Sequence, residues 1–271
     1  VSVQVSRRAV VASLLLFALA TAGAPLPGTS LPPEVRGLWR DGVTVVRGDR
    51  SIVAGHHADP GLLRDLARRA DAAGRRVAGV LGRPVRAVVV VPASASEAAG
   101  LAGVGRLDGL AALADAGRVV VVPEFFARLT PVGRDVVLTH ELTHVAAGTD
   151  GLPVWLYEGF ADYVGYRDAG LPVRTAAAEL AAEVRAGRVP RELPGPEAFA
   201  PGQRDGDRLA RAYQEAWLAC RFLADRFGEE SLVRLYRDAR TAGVDRALAA
   251  LGLTAATLTA RWRAYVREQL R

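Results

Sequence analysis

The chain has 271 residues, half of them hydrophobic, with a formal charge of +6 and one cysteine, Cys220. A lone cysteine excludes an intramolecular disulfide, so the fold must rest on a hydrophobic core, which a chain of this length can bury. The positive charge comes from arginines interspersed with acids, without the basic clusters and interleaved aromatics of a nucleic-acid face, and this argues against a nucleic-acid partner.

Arg7 and Arg8 precede an apolar run from Ala9 to Ala20, followed by small residues at Ala22 and Ala24. This is the pattern of a signal peptide, so residues 1–24 are expected to direct export. If they stay uncleaved, they form an N-terminal anchor and the chain's one contact with a membrane. A lipid anchor would need a cysteine just after the run, and Cys220 is far downstream. Residues 25–37 read as a Pro/Gly-rich linker. The remainder is expected to form an α/β lobe over 38–150 and a helical lobe over 151–271, with folding starting near Leu38.

Val43–Val46 and Ser51–Ala54 are short β-branched runs around Arg47-Gly48-Asp49-Arg50, which predicts a hairpin. The Arg-Gly-Asp triplet is also an adhesion tripeptide, but a turn needs these residue types anyway. His56 and His57 follow; neighbours on a strand point to opposite faces, so they make a poor chelating pair. Asp59-Pro60 opens an amphipathic helix with Leu62, Leu63, Leu66, Ala70 and Ala73 on its apolar side and Arg64, Asp65, Arg68 and Asp71 on its polar side. Ala87–Val91 and Arg118–Val122 read as covered strands, each stopped by a proline. Leu107–Ala116, between them, reads as helical.

Thr130-Pro131 caps the next helix. It carries His140, Glu141 and His144, an H-E-x-x-H arrangement whose i,i+4 histidines share one face and can grip a single ion. Buried imidazoles and a carboxylate are costly unless something satisfies them, and a metal does so. A catalytic zinc needs three protein ligands and an open position. A second helix, started by Pro153, carries Glu158 as the third ligand. Asp162, one turn further, is placed to hold the other ring nitrogen of His140 and so fix its tautomer. Beyond it, Leu171–Gly187 reads as a helix, Val189–Gly206 as a loop and Arg211–Phe227 as a helix with Cys220 on its apolar face. Further helices are expected over Ser231–Thr241, Val244–Leu251 and Thr254–Leu270.

His140-Glu-Leu-Thr-His144 with Trp155-Leu-Tyr-Glu158-Gly-Phe-Ala-Asp162-Tyr resembles the gluzincin metallopeptidases and, more narrowly, the bacterial peptidase MA-like proteins. The motif covers Val136–Tyr163, and the strands before it and helices after it match the family's layout. The resemblance implies an α+β, zincin-like fold, with a mixed-sheet N-terminal lobe packed on the active-site helix and an all-helical C-terminal lobe. It implies an exported zinc peptidase of peptide or protein substrates, taken as a monomer. His140, His144 and Glu158 would bind Zn2+, Glu141 would be the general base, and Asp162 would brace His140. An edge strand, either Ala87–Val91 or Arg118–Val122, would pair with extended substrate. The oxyanion donor would be Tyr213, placed at the start of its helix, with Tyr163 and Tyr166 as alternatives.

Two other readings compete. In a metzincin-like site the third ligand lies six residues after His144, at Asp150, but that pattern also wants a glycine at Ala147 and a methionine turn, and the chain has no methionine. A zincin fold could also have lost turnover and serve as a binding or envelope-assembly module; the intact Glu141 argues against it.

Overall fold

A computed structural model describes residues 31–107, 109–200 and 206–271. The expected export segment, residues 1–24, lies outside them. The chain divides into two compact units, with the boundary between Ala147 and Gly148. The architecture is α+β with a five-stranded mixed sheet. Among the described residues no helix is long and apolar enough to cross a membrane.

The first unit holds the sheet, ordered β1-β2-β3-β5-β4. β1 (Val43–Arg47) and β2 (Ser51–His56) form the expected antiparallel hairpin. From β2 the chain passes through α1 (Pro60–Leu81) to β3 (Ala87–Val91), parallel to β2. α1 starts at Asp59, whose carboxylate accepts from the Leu62 N–H at 2.8 Å, and stops at Gly82 in the left-handed region. α2 (Ala95–Leu101) follows β3. β4 (Ala112–Asp115) and β5 (Arg118–Val121) then form an antiparallel hairpin, with β5 parallel to β3.

Alternate residues of the sheet face two layers. Ala54, Val88, Val90, Leu113 and Val120 share a core cluster with Ala98 and Ala99 of α2 and with Val35. Packing therefore begins before Leu38, inside the stretch expected to be a linker. α1 and α4 (Pro131–Ala147) pack against each other and against the sheet. Between β5 and α4 lies the single turn α3 (Pro123–Phe126). Arg69 of α1 ties the two long helices, bonding Asp65 on its own helix and Asp135 on α4, each at 2.7 Å.

Three expectations for this unit are corrected. Leu107–Ala116 is not a helix: its second half is β4, turned into β5 by Ala116 and Gly117 at φ 45° and 79°. Two consecutive positive φ values make a type I′ turn, whose twist suits a hairpin. Neither Ala87–Val91 nor Arg118–Val122 is an edge strand, because β3 lies between β2 and β5, and β5 between β3 and β4. The edges are β1 and β4. Asp71, assigned to the polar face of α1, is only 8 % exposed and accepts from the backbone N–H groups of Asp49 and Arg50 at 2.8 and 2.9 Å, holding the β1–β2 turn.

The second unit is helical: α5 (Val154–Tyr166), α6 (Val173–Ala176), α7 (Ala178–Arg185), α8 (Gly206–Phe227), α9 (Glu229–Ala242), α10 (Val244–Ala249) and α11 (Ala255–Leu270), with a short 3-10 turn at Pro196–Phe199. The helix expected over Leu171–Gly187 is broken at Ala177, whose φ −110° and ψ 46° are not helical. α5 packs most closely on α8. A Cβ on Gly159 would lie 2.2 Å from the Ala216 carbonyl oxygen and 3.0 Å from Cys220 Sγ, so only glycine permits this approach. Cys220 is buried, as its place on the apolar face implies, with Sγ 3.7 Å from the Leu156 carbonyl. At the far end Thr254 and Thr257 form a reciprocal cap that starts α11, and Trp262 is fully buried.

Candidate metal centre

α4 begins at Pro131, and the Thr130 hydroxyl accepts from the Gly133 N–H at 3.1 Å. From Val136 to His144 every residue of the helix is buried, polar ones included. Thr139 and Thr143 satisfy their hydroxyls locally, donating to the carbonyls of Asp135 and Thr139 at 2.7 Å each. His140 and Glu141 are wholly buried, and His144 is 4 % exposed. The i,i+4 spacing brings the two imidazoles edge to face, with centroids 4.7 Å apart at 83° and Nε2 atoms 3.0 Å apart.

α5 follows Pro153, which is its cap rather than its first residue. Glu158 and Asp162 are both buried on it, 1 % and 5 % exposed. One ligand atom each from His140, His144 and Glu158 lie within 4.8 Å of one another, the one such group of three among the described residues. Neither the models of known families nor the curated proteins give a match to this chain.

The donor set fits a metal ion. Two imidazole nitrogens bonded to one tetrahedral zinc at about 2.0–2.1 Å sit roughly 3.3 Å apart, close to the spacing seen here, and two histidines with a glutamate are ligand chemistry that zinc takes in catalytic sites. Buried imidazoles and a carboxylate grouped this closely form a site that a cation stabilises.

Asp150 has a side chain 70 % exposed and sits 3.4 Å from the Arg240 guanidinium, outside the ligand group. Tyr163 donates its hydroxyl to Glu229 at 2.7 Å, and Tyr166 is half-buried with its ring against Trp217, centroids 5.0 Å apart. Tyr213 is 7 % exposed and meets Phe199 edge to face at 5.1 Å. Since α8 starts at Gly206, Tyr213 lies about two turns inside it and does not open it. The ground on which the sequence singled it out is therefore absent.

Sequence reading passed over Tyr157, next to Glu158. Burial first, and then the charge of Glu158, push its hydroxyl up to about 12. It stays a protonated donor throughout the neutral range. Its one sequence signal was its position beside Glu158.

His56 and His57 also depart from expectation. Their rings lie 4.3 Å apart instead of on opposite faces, because His57 leaves the strand geometry at φ 49°. His56 bonds Glu97 at 2.6 Å through Nδ1 and stacks on Trp39.

Proposed function

We propose that the chain is a zinc-dependent peptidase of the gluzincin kind, with a zincin-like fold, exported and acting on peptide or protein substrates. The observation that carries this reading is the grouping of His140, His144 and Glu158 with Glu141 buried between the two histidines in sequence. The H-E-x-x-H pattern places a carboxylate beside two ligands, and catalytic zinc takes a third ligand of this type.

Zinc, when bound by these three side chains, supplies Lewis-acid polarisation of the scissile carbonyl and acidifies the attacking water. The chain's own groups do the rest. Glu141 accepts the proton of that water and passes it to the leaving amine, which keeps a poor leaving group from departing as an anion. Asp162 takes the role of bracing His140. The exposure of Asp150 and its pairing with Arg240 support Glu158 as the third ligand.

Bound zinc, measured by atomic absorption after dialysis, tests the ligand set. Glu158→Ala is expected to lower metal affinity by at least about tenfold, and Asp150→Ala to leave it unchanged. Loss of zinc on Asp150→Ala with retention on Glu158→Ala would transfer the ligand role to Asp150.

A further inference from the structure

Arg47 ends β1, Arg50 sits in the turn after it, and Arg86 directly precedes β3. The parallel register pairs Ser51 with Ala87, and the Ala87 N–H donates to the Arg50 carbonyl at 3.2 Å. Arg50 and Arg86 thus hold equivalent places on neighbouring strands, about 4.8 Å apart. Like charges set side by side in this way repel. All three arginines are exposed and line one cavity of about 440 Å³, together with Asp49 and Pro84. Among the described residues none of the three forms an ion pair.

The acids nearby do not neutralise the group. Asp71, behind the turn, spends its two oxygens on the N–H groups of Asp49 and Arg50 and also feels the charge of Arg75. Asp49 is the single carboxylate lining the cavity, against three guanidiniums. Some arginines elsewhere do have acid partners, as Arg69 with Asp65 and Asp135, or Arg188 with Glu183.

We propose that this cavity, at the N-terminal ends of β2 and β3, binds a phosphate-type dianion between Arg47, Arg50 and Arg86. Guanidinium forks match tetrahedral oxyanions in geometry, and a dianion relieves the repulsion that a single carboxylate leaves. The volume falls in the range of small-ligand sites and admits the group to which a phosphate is attached. A soluble phosphate ester and an anionic lipid headgroup present the same chemistry.

The test uses the full chain at constant ionic strength, with inorganic phosphate titrated by calorimetry. A second arm is co-sedimentation with phosphatidylglycerol or phosphatidylcholine vesicles, the latter giving the background from any apolar N-terminal segment. Arg50→Gln/Arg86→Gln is compared with Arg64→Gln/Arg246→Gln, which removes the same charge from exposed positions on α1 and α10. Phosphate binding weakened at least tenfold in the first variant alone supports the site and a soluble ester. A preference for phosphatidylglycerol lost in the first variant alone supports the site and a headgroup. Wild-type protein that binds neither, or equal losses in both variants, overturns the proposal.

Discussion

Asp71 stabilises the first hairpin through charge-assisted hydrogen bonds to two backbone N–H groups. Burial alone would raise its pKa, but those two bonds, the Ser51 hydroxyl and the charge of Arg75 outweigh it and hold the carboxyl below its ordinary 3.8. A group depressed in the folded state contributes stability that is present above the unfolded pKa and lost as pH falls through the folded value. Asp71→Asn is therefore expected to cost about 2 kcal/mol at pH 7, and the gap from wild type should narrow in acid below pH 3.8. Urea midpoints at the two pH values check it; a gap that persists in acid would mean the carboxylate's charge is not what matters. None of this was legible in the sequence, where Asp71 falls on the polar face of α1, because its partners lie 21 and 22 residues earlier. The histidine pair was legible because i,i+4 is a local relation fixed by the helix itself. His56 and His57 misled for the opposite reason: the strand rule fails where one residue turns to positive φ.

At the scale of elements, helices were easier to read than strands. α1, α4 and α5 announced themselves through a cap or proline followed by a long pattern, while β4 is four residues of alanine-rich sequence with no β-branched residue. Its strand state comes from pairing with β5 and from the Ala116-Gly117 turn, whose usual signature is Asn or Asp before the glycine. Ala116→Asn is accordingly predicted to stabilise the protein by about 0.5–1 kcal/mol, since asparagine tolerates positive φ better than alanine. Thermal denaturation reads the gain; a lower melting temperature would contradict the turn assignment. The α5–α8 contact gives the opposite case. Gly159→Ala places a methyl 2.2 Å from a backbone oxygen that cannot rotate away, so the helices must separate at a cost of at least about 2 kcal/mol. Chemical denaturation with unchanged stability would show the contact to be looser than described. That the neighbour at Gly159 is Ala216 depends on a segment distant in sequence, which no local pattern reveals.

For the whole molecule, composition and periodicity were enough to expect an α+β chain with its strands first and its helices last. Sheet order was beyond them, because which strand is central depends on pairings between distant segments, and this is why β3 and β5 were mistaken for edges. The proposed chemistry gathers on α4 and α5 and centres on Glu141 as the base of a zinc peptidase. The most direct test is hydrolysis of a peptide library by zinc-loaded wild type and by Glu141→Gln, with zinc content measured in both. Wild type is expected to show chelator-sensitive, zinc-restored cleavage. Glu141→Gln is expected to keep the zinc and to be slower by about 10²–10⁴-fold. Stoichiometric zinc without cleavage of any peptide, or a Glu141→Gln variant as fast as wild type, would contradict that assignment.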